Sequence, residues 1–143
     1  MKLKEELRSL NNFIKTIENE VIKNRVEHLL IWYVKKATYY KRMYYMLSIM
    51  ITIINAIIPV INQLNWELKS LAVTIISSIA SIIASIITLL SVKDTWFRYR
   101  KYVELLKTEC MLFNCRCEQY SCNERERTFI YNIERIISDE RDY

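Results

Sequence analysis

SLAVTIISSIASIIASIITLLSV, residues 70–92, runs for 23 positions without a charged residue. As an α-helix rising about 1.5 Å per residue it reaches roughly 34 Å, and a bilayer core is about 30 Å thick. A second stretch, MYYMLSIMITIINAIIPVI from Met43 to Ile61, has none in 19 and reaches roughly 28 Å. The connector NQLNWELK, residues 62–69, carries one acid and one base.

Charge fills both flanks. Of the 21 Lys and Arg residues, ten precede the first run and ten follow the second. Such residues collect on the cytoplasmic side of a span. The expectation is an all-α, multi-pass protein of the cell membrane: a two-transmembrane helical hairpin (43–92, spans 43–61 and 70–92) with both termini cytoplasmic. An N-terminal helix (1–42) and C-terminal helices (93–143) complete it. Trp66 at the outer rim, and Tyr44, Tyr45 and Trp96 at the inner one, suit the aromatic belts of an interface. The opening MKLKEELRSLNNFIK lacks the apolar core of a signal peptide, so the first span is expected to direct its own insertion.

The formal charge of +5 follows from that bias and needs no nucleic-acid partner. The chain has no glycine. That excludes phosphate-cradling loops, dinucleotide fingerprints, GxxxG crossings and glycine-bearing potassium filters. One histidine, His28, argues against His-based zinc sites and catalytic triads; it reads as a structural residue. No enzyme, cofactor or metal site is expected.

Leu3, Leu7, Leu10, Ile14, Ile17 and Val21 alternate steps of four and three, a heptad seam. The stripe then shifts to Ile22, Val26, Leu29, Tyr33 and Ala37. Beyond the second span, Trp96, Tyr99, Val103, Leu106, Cys110, Phe113, Cys117 and Tyr120 hold the same rhythm, so that span is expected to continue unbroken into the cytoplasm. A break is expected near 121–123, before a helix carrying Phe129, Ile130, Ile133, Ile136 and Ile137. The N-terminal helix is expected to lie antiparallel to the long C-terminal one. Cys110, Cys115, Cys117 and Cys122 lack the C-x2-C knuckle of structural zinc, and helical geometry splits them between two faces. Buried thiols are the favoured reading, with redox and metal roles as alternatives.

The second span carries a broad hydroxyl face: Thr74, Ser77, Ser78, Ser81, Ser85 and Thr88. The first carries Ser48, Thr52, Asn55, Pro59 and Asn62. Small polar residues allow close helix packing; they also wet a pore wall without a fixed charge barrier. The pore-lining candidates are Thr52, Asn55, Thr74, Ser77, Ser81, Ser85 and Thr88. Two helices enclose no pore, so conduction requires a homo-oligomer in the lipid bilayer. Glu67 would then form a carboxylate ring at the external mouth and attract cations; the alternative is a solvated loop acid or a partner for Lys69. Trp96, Arg100 and Glu104 form a candidate gating collar at the inner face, with salt bridging and headgroup contact as the plainer reading.

IWYVKKATYYKRMYYMLSI (31–49) and LLSVKDTWFRYRKYVELLKTECMLF (89–113) resemble the SLATT family of bacterial two-transmembrane effector domains. The residues that carry the likeness are Trp32, Lys36, Ala37 and Tyr40, the Ile58-Pro59 exit, and Trp96, Tyr99, Arg100, Glu104 and Glu109. The resemblance implies a pore-forming effector of nucleotide-signalling conflict systems, triggered by a separate nucleotide-sensing protein. The expected function is a homo-oligomeric, cation-leaning channel that passes ions passively. The alternative is a non-conducting membrane anchor that recruits partners through its cytoplasmic helices.

Overall fold

Residues 3–63, 67–121 and 124–141 are described by a computed structural model of the chain. They form five α-helices: α1 (Leu3–Ile14), α2 (Glu20–Gln63), α3 (Lys69–Leu89), α4 (Val92–Asn114) and α5 (Arg125–Arg141), with a short 3-10 helix, Glu118–Ser121, before α5. The chain divides into two packed units. One is a helical bundle, residues 1–38 with 97–143; the other is a hairpin, residues 39–96.

The expected N-terminal helix over 1–42 is in fact two. α1 ends at Ile14, and Asn19 caps α2, its Oδ1 accepting the N–H groups of Val21 (3.1 Å) and Ile22 (3.5 Å). That is the geometry of an N-cap, which satisfies donors the first helical turn leaves open. The shift in the apolar stripe between Ile17 and Ile22 marks this turn. Ile17 and Ile22 are both buried, whereas Val21 is 79% exposed. α2 then runs without interruption into the apolar segment, with Pro59 inside it.

In the bundle, Leu10, Ile14, Ile17, Val26, Leu30, Val34, Val103, Leu106, Cys110, Phe113, Phe129 and Ile133 form one buried core. Leu30, rather than Leu29, is the fully buried leucine of its pair. Polar ties fix the helix directions. Glu6 pairs with Arg100 and, at 3.7 Å, with Lys107, and Asn114 Nδ2 donates to the Phe13 carbonyl at 2.9 Å. α1 therefore runs parallel to α4, not antiparallel. The antiparallel neighbour of α4 is the first part of α2, where Tyr33 packs against Tyr99 and Tyr102 (6.1 and 6.2 Å between rings). α5 runs alongside α2: Asn19 bonds Glu126 (3.1 Å), Arg25 bonds Glu134 (3.0 Å) and Tyr33 bonds Glu140 (3.2 Å).

Two further breaks correct the sequence reading. The second apolar helix does not continue unbroken: α3 stops at Leu89, Ser91 takes a left-handed backbone (φ 41°), and α4 starts at Val92. α4 itself stops at Asn114, so Cys117 and Tyr120 keep the heptad rhythm without belonging to the helix. Arg116 (φ 52°) closes it. The Cys117 N–H donates to the Leu112 carbonyl (3.1 Å) and the Arg116 N–H to that of Phe113 (3.3 Å), a Schellman turn. Of the break expected at 121–123, Ser121 ends the 3-10 helix, and residues 122 and 123 lie outside the described residues.

Glycine normally takes these left-handed positions, and a side chain there costs about 1–2 kcal/mol. Arg116 is exposed, outside the buried core. Arg116→Gly is expected to stabilise the bundle by about 1 kcal/mol, read as a rise in denaturation midpoint.

Candidate functional site

Both helices of the hairpin are long and apolar enough to cross a membrane. Inside the structure, 0% of the most apolar window of the first helix and 6% of that of the second is buried. Its surface divides into three rows per helix. Half-buried or buried positions form a seam: Leu47, Ile51, Ile54, Ile58 and Ile61 on α2, and Val73, Ile76, Ala80, Ile83 and Ile87 on α3. These are the rows through which the two helices cover one another.

The hydroxyl row sits one residue after the seam in each helix. Thr52, Asn55 and Pro59 follow Ile51, Ile54 and Ile58. Thr74, Ser77, Ser81, Ala84 and Thr88 follow Val73, Ile76, Ala80, Ile83 and Ile87. All eight are exposed, as are Ser78 and Ser85, which widen the row. One residue is a rotation of about 100°. A five-residue connection, 64–68, makes the two helices antiparallel. Seen from one end, opposite directions reverse the sense of that rotation. Both hydroxyl rows therefore turn to the same side of the hairpin. The rows one residue before the seam (Met46, Met50, Ile53, Ile57 and Val60; Ile75, Ile79, Ile82 and Ile86) turn to the other, wholly apolar side. The hairpin is two-faced: Ser77, Ser78, Ser81 and Ser85 are exposed off its own seam, while Ser48 is half-buried.

The polar side carries no formal charge. Thr52, Thr74, Ser78, Ser85 and Thr88 each donate to the carbonyl one turn back, at 2.8–3.0 Å. Asn55 is different. Its carboxamide is exposed on this side, and Pro59, four residues on, has no N–H to offer the Asn55 carbonyl. Glu67 is exposed in the turn before α3 and makes no ion pair among the described residues, with Lys69 or otherwise. Trp66 lies outside the described residues.

The collar candidates fall in separate units. Trp96 belongs to the hairpin, where it lies against Tyr44 (6.4 Å) and Tyr45 (6.0 Å) with Lys41 over its ring (5.5 Å). Arg100 and Glu104 belong to the bundle, paired at 2.9 Å, and both join a four-charge cluster with Lys107 and the buried Glu6. Glu109 meets Tyr120 instead, accepting its hydroxyl at 2.6 Å, while Asn132 donates to that hydroxyl at 2.9 Å. Sequence reading missed Glu6 and Asn132. Glu6 had a local signal: it follows Leu3 by three and precedes Leu10 by four, on the apolar seam.

The profile of a family described as a protein of unknown function, DUF4231, matches residues 29–128. The chain belongs to the DUF4231 family. No curated protein and no solved structure matches it. The DUF4231 segment holds the whole hairpin with its polar side, all of α4 and the first turn of α5. It leaves out α1 and the Phe129, Ile133 and Ile137 face of α5, which complete the bundle core.

The cysteines of the DUF4231 segment divide by environment. Cys110 is buried in the core, Cys115 and Cys117 are exposed at the end of α4, and Cys122 lies outside the described residues. Among the described residues no three His, Cys, Asp or Glu side chains gather to hold a metal. Burial, then the nearby Glu109, pushes the Cys110 thiol from 9.0 up to about 12. Burial, then its bond to Glu109, pushes Tyr120 from 10.0 to about 12. Burial also raises Tyr33, with Glu140 adding to it. Each of these folded groups keeps a proton that the unfolded chain releases. Their contribution to stability is full below pH 9.0 and is lost as pH rises towards 12. At pH 8, peptide mapping after iodoacetamide is expected to find Cys115 and Cys117 alkylated and Cys110 spared. Cys110 becomes reactive when the bundle unfolds.

Proposed function

We propose that the hairpin is the membrane-embedded part of a homo-oligomeric, passive ion pore, with both chain ends cytoplasmic and the connector outside. One observation carries this reading: the polar rows of α2 and α3 turn to one side, and the chain covers neither. In hydrocarbon an unpaired amide costs several kcal/mol. Asn55 has to find water or another copy. A ring of hairpins with the polar side inward meets that demand with water along its axis and apolar rows towards lipid. The wall holds hydroxyls and amides and no formal charge, so ions cross without a fixed barrier. A ring of Glu67 at the outer mouth makes the pore lean towards cations. The SLATT resemblance supports the same reading, with a separate nucleotide-sensing protein as the trigger.

A second reading has its own support. Five hydroxyls on the polar side are satisfied within their helices, as they are where helices press together in lipid. The assembly would then be a tight anchor displaying the bundle to partners. The two readings separate in one experiment. The protein is reconstituted in liposomes, and cysteines placed singly at positions 77, 81 and 85 are exposed to a charged thiol reagent. A pore leaks ions, and the reagent blocks the leak. An anchor stays tight, and the cysteines introduced at 77, 81 and 85 stay unmodified at every voltage and with every nucleotide added, the native Cys115 and Cys117 having first been replaced by serine.

A further inference from the structure

The apolar side of the hairpin ends in a cation. Tyr39, Arg42, Met46, Ile49 and Ile53 follow one another on α2 in steps of three and four, so they form one continuous row. All are exposed: Tyr39 62%, Met46 59%, Ile49 56%, Ile53 53%, with Arg42 also open. Arg42 makes no ion pair or hydrogen bond among the described residues, unlike Arg25 and Arg100. Beside it Lys41 lies over the Trp96 ring, and Tyr39 meets Tyr40 edge-on at 5.6 Å. Of the two acids in the hairpin, Asp94 and Glu67, only Asp94 belongs to this end.

We infer that this row is a binding site for an anionic phospholipid, resting on the reading of residues 39–96 as membrane-embedded. A guanidinium matches a phosphate through paired N–H donors. The acyl chain lies down the Met46, Ile49 and Ile53 row, and Tyr39 sits at headgroup level, where tyrosine is favoured. Charge complementarity selects the headgroup: Arg42 and Lys41 leave this end net positive, so a phosphatidylglycerol with its uncompensated phosphate is held over a zwitterionic phosphatidylcholine. A second copy is the poorer occupant, because neighbouring copies have the opposite, polar side to cover.

Full-length protein is reconstituted in phosphatidylcholine vesicles with and without phosphatidylglycerol. Lipids retained after extraction are counted by native mass spectrometry. The expected preference for phosphatidylglycerol is about fivefold, the effect of one basic side chain at an anionic surface. Arg42→Gln abolishes it, Arg42→Lys keeps part of it, and Arg25→Gln, on the bundle, leaves it unchanged. Equal retention of the two lipids overturns the site, as does a preference that survives Arg42→Gln. Crosslinking between copies through position 49 overturns it in favour of a protein contact, and competition by free glycerol phosphate in favour of a soluble ligand. The membrane reading fails separately: alkaline carbonate would then strip the protein from pure phosphatidylcholine vesicles. Loss of lipid preference in protein that resists stripping and still leaks ions overturns the site alone.

Discussion

Replacing Ser81 and Ser85 together by leucine is expected to lower ion flux through the reconstituted protein by at least about tenfold, because bulky apolar side chains that shed water would close the narrow wetted path of the proposed pore. Both residues are exposed on the polar side of α3, and neither belongs to the Ile76, Ala80, Ile83 and Ile87 seam that pairs with α2. The change removes one bond within the helix, from the Ser85 hydroxyl to the Ser81 carbonyl (2.9 Å). Leucine is a better helix former than serine, so the hairpin itself survives. Ile79→Leu with Ile82→Leu, on the opposite row, is the control and leaves flux intact. Unchanged flux in the Ser81→Leu, Ser85→Leu protein would remove the polar side from the conduction path. Loss of the oligomer, with the parent protein tight from the start, would favour the anchor.

The two apolar helices were legible because hydrocarbon excludes charge, and absence of charge over a bilayer's thickness is a one-dimensional signal. The faces were legible in part. The hydroxyl stripes could be read from spacing, but which row pairs the hairpin could not, since serine and isoleucine both make helix contacts in lipid. The burial of Ala80 between half-buried isoleucines resolves it, and it turns two separate stripes into one side. The breaks were hidden for a different reason. With no glycine in the chain, left-handed positions fall to Ser91 and Arg116, residue types with no preference for that backbone. The heptad rhythm also outlasts α4: Tyr120 is buried from beyond the helix end, where a seam position would have put it. Glu6 was hidden because a carboxylate on an apolar seam needs partners from α4, about a hundred residues away in sequence.

The bundle core offers the test with the largest expected change in stability. Phe129→Ala is expected to cost about 3–5 kcal/mol, the usual range for removing a fully buried aromatic ring. Phe129 is 0% exposed, stacks on Phe113 at 4.4 Å and meets Tyr120 edge-on at 6.1 Å. Its loss opens a cavity beneath the short 3-10 helix and loosens the Glu109, Tyr120 and Asn132 bonds beside it. Domains of this size are stable by about 5–15 kcal/mol, so the remaining margin is small. Hydrogen exchange then separates the two units of the chain. Amides of α1, α4 and α5 lose protection in Phe129→Ala, whereas those of α3, which contributes nothing to this core, keep theirs. Equal loss in both would mean that the hairpin depends on the bundle to fold. Exchange left intact throughout would mean that Phe129 does not hold the bundle core together, which its complete burial argues against.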